Sequence, residues 1–233
     1  DTAGIVASVD SITVDEAGST TFTVVLTSEP TVDVEFDVMV DEADGFAASG
    51  SLVFTSSNWD TPQTVTVNGV VDDVDADHVT GAVVIFAGST PSDDSFTDAG
   101  TSVAVLAIDD DTAGITLSGN SVVVSEAGTA GSVSVVLDTA PTSDVTFTVS
   151  GSDTTEASVT PATLTFTEVN WNVAQDVTVT GVNDVATDGP VASTVTLSPS
   201  SDDSNYDVAD LVVDVTTTDD DTAGVTVLQS DGS

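Results

Sequence analysis

The sequence predicts an all-β protein made of tandem Ig-like antiparallel β-sandwich domains, and three observations predict it. The tetrapeptide Asp-Thr-Ala-Gly begins at Asp1, Asp111 and Asp221, a spacing of 110 residues in a chain of 233. Between these marks, segments alternate polar with apolar or β-branched residues, the two-residue period of a strand with one face buried. No segment sustains the 3.6-residue period of an amphipathic helix, and clusters of Gly, Pro, Asp and Ser interrupt the chain at short intervals.

Taken in order, the alternating runs of the first repeat are 21–26, 32–38 and 64–67, and those of the second are 132–137, 145–149 and 176–180. Turn-forming clusters at 16–19, 28–31 and 89–95 separate them. About seven short strands per repeat fit a sandwich of two packed sheets. The expected domains are 1–110 and 111–220, with 221–233 as the truncated start of a third, and Asp1 reads as the end of a preceding unit. The chain is thus expected to be an excerpt of a longer array. With 39% hydrophobic residues, each repeat has the material for a core without disulfides.

The charge balance excludes whole classes of function. Lys plus Arg is 0 and Asp plus Glu is 40, a formal net charge of −40, with one His and no Cys. No internal Lys or Arg ion pair can form, so the carboxylates must be solvated, hydrogen-bonded or metal-bound. Nucleic acid and anionic membrane surfaces need basic residues and are excluded as partners. Apolar runs such as 103–108 are far too short to span a bilayer. Catalysis has no support: there is no Cys nucleophile, no Lys for a Schiff base and no His in the second repeat, and carboxylate pairs arise by chance at this density of acid.

Aligning the repeats shows what the array reuses. Residues 14–18 match 124–128, 51–54 match 163–166, Asn58-Trp59 matches Asn170-Trp171, and 63–69 match 175–181. The offset grows from 110 to 112, so two residues are inserted before Thr163. Carboxylates recur where packing does not demand them: Glu16 with Glu126, Asp44 with Glu156, Asp72 with Asp184, and the triplet Asp109-Asp110-Asp111 with Asp219-Asp220-Asp221. Three adjacent like charges repel, and a hard cation is the simplest species that holds them together.

This order resembles the Calx-beta repeat: Glu-x-Gly after the first strand, an acidic residue six before a strand resembling Gly-x-Leu-x-Phe, an acidic loop after a Val-rich strand, and a closing Asp-Asp-Asp-x-Ala-Gly. The family includes calcium-sensing domains of sodium/calcium exchangers and tandem modules of large bacterial surface proteins and adhesins. Position by position, the resemblance implies calcium ligands at Glu16, Asp44, Asp72, Asp73, Asp77, Asp109, Asp110 and Asp111. In the second repeat it implies Glu126, Glu156, Asp184, Asp188, Asp219, Asp220 and Asp221. Val185 stands where the first repeat has Asp73, so a weaker second site, or one binding fewer ions, is expected.

Oxygen-only ligands independently favour Ca2+, because zinc and copper recruit His or Cys. Residues 73–77 open like an EF-hand loop, but His78 replaces the Gly and Val84 the closing Glu, so no EF-hand forms. His78 is expected as an exposed loop residue, Trp59 and Trp171 as packing residues, and Asp33, Asp37, Asp138 and Asp153 as solvated surface. The function these readings predict is a calcium-binding structural repeat of a secreted or cell-surface protein, a calcium-rigidified extender of an adhesin whose partners are calcium ions and neighbouring repeats. The alternatives are a subunit of an extracellular filament, sheath or surface layer that contacts other copies, and a calcium-sensing regulatory module.

Overall fold

The computed structural model describes residues 2–41, 45–88 and 93–225. The chain divides into two compact units, Asp1–Asp111 and Thr112–Ser233, and each is described by itself. Unit 1 holds β1 (Ile5–Ala7), β2 (Ser11–Asp15), β3 (Ser19–Leu26), β4 (Val34–Asp41), β5 (Phe46–Ala47), β6 (Gly50–Phe54), β7 (Gln63–Gly69), β8 (Val79–Ala87) and β9 (Gly100–Ile108). Unit 2 repeats the order with β10 (Ile115–Leu117), β11 (Ser121–Ser125), β12 (Ala130–Leu137), β13 (Val145–Gly151), β14 (Ala157–Thr160), β15 (Thr163–Phe166), β16 (Gln175–Gly181), β17 (Val191–Ser200) and β18 (Leu211–Thr218). Each unit has a four-stranded and a five-stranded sheet, ordered β1-β3-β7-β5 and β2-β9-β8-β4-β6 in unit 1, and β10-β12-β16-β14 and β11-β18-β17-β13-β15 in unit 2.

The fold is all-β, as expected, with two differences of detail. Among the described residues each unit has nine strands rather than about seven: the opening segment splits, β1 pairing with β3 before the chain crosses to the other sheet as β2, and a short edge strand, β5 or β14, adds to β7 or β16. Secondly, β2 runs parallel to β9, and β11 to β18, so each five-stranded sheet contains one parallel pair. Among the described residues no helix is long and apolar enough to cross a membrane.

Alternation explains the core. In β3, Phe22, Val24 and Leu26 are buried between the sheets while Thr21 is exposed, and in β9 Val103, Val105 and Ala107 are buried while Ala104 is exposed. Phe36 packs edge-on against Phe54 and Phe96, with ring centroids 6.2 and 6.4 Å apart, and Phe147 against Phe166 at 5.8 Å. Burial of one such ring contributes about 1.5–3 kcal/mol. Trp59 and Trp171 are half-buried against the two cores. Gln63 and Gln175 close one flank of each sandwich, donating from Nε2 to the edge-strand carbonyls of Val53 and Thr165 at 2.8 Å.

Each unit has two unlike ends. At the end where Ile5 pairs with Leu26, Asp93 Oδ2 accepts from the Thr31 N–H and hydroxyl at 2.8 and 2.7 Å. Asp203 accepts from the Thr142 N–H in unit 2 in the same way, at 2.8 Å. These amide and hydroxyl donors hold the Asp93 carboxyl down at about 2. Beside Asp203, the buried Tyr206 hydroxyl donates to the Thr139 carbonyl at 2.7 Å and accepts from the Thr139 N–H at 3.2 Å. The chain therefore enters each unit at this end and leaves at the opposite one, where β9 and β18 finish.

The registers also separate the two extra residues of the second repeat. One falls between Glu126 and Ala130 and the other between Ser158 and Thr163.

Candidate metal centre

The parallel pairs gather the acidic residues. Because Asp15 lies opposite Ile108, the next residue of each strand, Glu16 and Asp109, emerges at the same end, and the Glu16 N–H donates to the Ile108 carbonyl at 3.1 Å. Ser125 opposite Thr218 brings Glu126 beside Asp219 by the same geometry, with a 3.1 Å bond from the Glu126 N–H to the Thr218 carbonyl. The loop after β7 supplies Asp72, Asp73 and Asp77, and that after β16 supplies Asp184 and Asp188. Glycine is required where β7 and β16 end: a Cβ on Gly69 would overlap the Asp15 and Glu16 carbonyl oxygens, and one on Gly181 the Ser125 carbonyl. The repeated Gly thus lets the strand press against the backbone that carries the glutamate.

In unit 1 the carboxylates of Glu16, Asp109 and Asp111 offer oxygens within 4.8 Å of one another. Glu16, Asp72, Asp77 and Asp109 line a cavity of about 200 Å³. In unit 2 three triads are linked by shared members: Glu126 with Asp188 and Asp219, Glu126 with Asp184 and Asp221, and Glu156 with Asp184 and Asp188. Oxygens bound 2.3–2.6 Å from one calcium ion lie at most roughly 5 Å apart, so each triad has the spacing of a shared cation.

Backbone N–H groups set the loops around these carboxylates. Asp109 accepts from the Ala76 N–H at 2.6 Å and from the Asp111 N–H at 3.1 Å. Asp219 accepts from Gly189 at 2.9 Å and Asp221 at 2.7 Å, which holds the Asp219 carboxyl below its usual range. His78 is exposed, and its Nδ1 accepts from the Asp109 N–H at 3.2 Å.

Most of the acid here is electrostatically unfavourable by itself. Glu16, Glu126 and Glu156 are 6%, 4% and 8% exposed. Each keeps a buried Oε2 with no hydrogen-bond partner, and Asp111 and Asp221 each keep such an Oδ2. Burial first, and neighbouring carboxylates second, push all five carboxyls above their usual range. A divalent cation answers both causes, and the donor set, all oxygen with orphaned buried lone pairs, fits calcium.

The sequence-derived set is sorted further by the geometry. The outer members of each triplet turn inward, whereas Asp110 and Asp220 are exposed and join no triad among the described residues. Extended backbone sends alternate side chains to opposite faces, so a run of three cannot aim all its members at one point. Asp73 lies close enough to Asp111 to raise its carboxyl, while Val185 is 92% exposed and the other carboxylates of unit 2 converge without it. Asp44 lies outside the described residues, as do 226–233 of the expected third repeat. The pairing of Asp44 with Glu156 does not hold: Phe46 opposite Gly69 matches Ala157 opposite Gly181, so Gly45 stands at the position of Glu156, because the second inserted residue falls only after Ser158. Asp153, expected as plain surface, caps a turn by accepting from the Thr155 N–H at 2.9 Å and from the Thr155 hydroxyl.

No protein-family model matches the chain, and no curated protein does. Among solved structures it is similar to the calcium binding domain CBD12 of CALX1.1, at 17% identity over 84% of this chain and 80% of that one, with a TM-score of 0.37. It is also similar to CBD12 from CALX1.2, at 15% identity over 92% of this chain and 99% of that one, with a TM-score of 0.36. The E. coli chaperone DraB has the same TM-score, 0.36, at 7% identity over 92% of this chain and 98% of that one. Calcium-binding modules and a chaperone are alike at this level, so any functional argument rests on the geometry of the site.

Proposed function

We propose that the chain is a calcium-binding structural repeat module of a long secreted or cell-surface protein, acting as a calcium-rigidified extender of an adhesin. The observation that carries this reading is the linked set of unit 2, in which the buried Glu126 and Glu156 each hold an oxygen that no protein donor meets. In a chain with no Lys or Arg, a bound cation is the counter-charge left to them. The ligands are Glu126, Glu156, Asp184, Asp188, Asp219 and Asp221, and in unit 1 Glu16, Asp72, Asp73, Asp77, Asp109 and Asp111.

The extender role is supported by the path of the chain. It enters each sandwich at one end and leaves at the other, and a nine-residue strand such as β9 spans about 30 Å. The same aspartates that would hold the ion, Asp109 and Asp111, lie where the chain leaves the unit, so binding restrains the exit segment. Dissociation constants of about 10⁻⁴ to 10⁻³ M are typical of extracellular calcium modules. Neighbouring repeats, including one that begins at 221, are the remaining partners.

The test is calorimetry and small-angle scattering in calcium, magnesium and chelator. Calcium should raise the melting temperature more than magnesium at equal concentration, and should narrow the distribution of interatomic distances. A melting temperature indifferent to chelator refutes the metal site; a calcium-dependent melting temperature with unchanged scattering refutes the extender and leaves the site.

A further inference from the structure

The free edge of the four-stranded sheet differs between the units. In unit 2, β14 covers β16 over four residues, with Ala157 opposite Gly181 and Thr160 opposite Thr178. In unit 1, β5 covers β7 over two, Phe46 opposite Gly69 and Ala47 opposite Asn68, before the chain turns away through Gly50 at φ +137°. Residues 48–50 are one residue shorter than their counterpart 159–162, and the edge of β7 is left uncovered from Val67 back to Gln63.

Hydrogen bonding shows which peptide groups face that edge. The Gly69 N–H donates inward to Gly18 at 3.0 Å and the Val70 N–H outward to Gly45 at 3.1 Å, so alternation turns the peptide groups of Thr64 and Thr66 to the uncovered side. A cavity of about 280 Å³ opens beside them, lined among others by Val38, Ala48, Leu52, Val65 and Thr66. Val38, Leu52 and Val65, all buried, form its apolar part, and Ser49, Ser51, Thr64 and Thr66 make the rest of the lining largely polar. The edge of β6 is guarded by contrast, because the Val53 carbonyl is taken by the Gln63 and Asn58 amides at 2.8 and 3.3 Å. No side chain among the described residues caps Thr64 or Thr66 in that way.

We propose that this edge of unit 1 binds an extended basic peptide, which pairs with β7 at Thr64 and Thr66 and places one small aliphatic side chain in the cavity. Unit 2 shows the kind of side chain this edge accepts: Val159, opposite Val179, turns inward and packs against the core. Charge selects its flanks. A chain of net charge −40 with no Lys or Arg repels a second copy of itself and attracts a cationic strand. Backbone pairing supplies the affinity and the cavity the side-chain preference.

The test uses the full chain and a fluorescent six-residue peptide of alternating Val and Thr with Lys at both ends. A second peptide of identical charge carries N-methyl groups on alternate amides. The first peptide should bind at least about tenfold more tightly, the effect of one or two lost hydrogen bonds. It should also slow amide exchange at Thr64 and Thr66. Replacing 48–50 by 159–162 should abolish this preference, and the reciprocal exchange in unit 2 should create a second binding site, which covers the case of a poorly folded first graft. Equal binding of the two peptides, or a preference that survives the graft in a folded protein, overturns the proposal in favour of charge attraction alone.

Discussion

Replacing Glu126 by Gln separates a ligand from a structural residue, because the two roles predict opposite signs in chelator. Gln keeps the size of the side chain but removes a charge shared by two of the three triads of unit 2. Without metal, that charge is buried beside Asp184, Asp219 and Asp188 and its carboxyl is pushed up, so its removal should raise the melting temperature. In calcium the loss of one ion governs. At tenfold excess over the dissociation constant, one site contributes about 1.4 kcal/mol, and a unit of this size loses roughly 6 to 11 °C for that amount. Scanning calorimetry of parent and Glu126→Gln in chelator and in calcium should therefore give curves that cross. A variant that melts lower by the same amount in both conditions would make Glu126 a packing residue and refute the argument.

Acidity should act in opposite directions with and without calcium. Glu16, Glu126, Glu156, Asp111 and Asp221 are raised above their ordinary values, so their protonation favours the folded state as pH falls towards the ordinary carboxylate range, and in chelator the melting temperature should rise. In saturating calcium, protons compete with the ion and it should fall, so parallel slopes would count against the site. Asp93 has the reverse sign: its contribution is complete above about 4 and is lost as pH drops through about 2, so Asp93→Asn should flatten the acid-unfolding curve of unit 1 in that window. Tyr206→Phe leaves the buried Thr139 N–H without its acceptor and should cost unit 2 about 1–3 kcal/mol in denaturant melts, with calcium affinity unchanged because Tyr206 sits at the far end of the sandwich. Trypsin has no Lys or Arg to cut after and should leave the chain intact with or without chelator, whereas a chymotrypsin-like protease should digest it faster once calcium is removed. Chelator-independent digestion by the second enzyme would mean that metal does not hold the sandwiches shut.

What the sequence disclosed follows from how local each signal is. Strands such as β3 and β12 were legible because alternation is a property of neighbouring residues, and the buried Phe22, Val24 and Leu26 lie where the period puts them. The parallel pairing of β2 with β9 was not legible, since Asp15 meets Ile108 across most of the repeat and no local pattern encodes that meeting. The acidic set could be named from its recurrence, yet the recurrence of Asp110 and Asp220 overstates the site: alternation alone, applied to the triplets, would have turned the middle residue outward. Gly69 and Gly181 stood in the alignment without a reason until the approach of Asp15 and Ser125 supplied one. Asp93 and Asp203 were lost among many aspartates, because what distinguishes them is a bond to a Thr some sixty residues away.

The two ends of each sandwich solve the same electrostatic problem differently, and the difference locates where the fold is conditional. Asp93 and Asp203 are buried, but several N–H and hydroxyl donors meet them, so the far end is complete without an ion. Glu16, Glu126 and Glu156 are buried as deeply and retain oxygens that no donor meets, so the exit end is not. A chain that had kept a few Lys or Arg could neutralise that end internally, and its rigidity would then be constant. With none, any counter-charge for the exit end must come from outside the protein, and on the proposed reading that is calcium. The far end holds the sandwich closed meanwhile, so calcium removal should loosen the 72–77 and 184–188 loops and the triplets before either core opens.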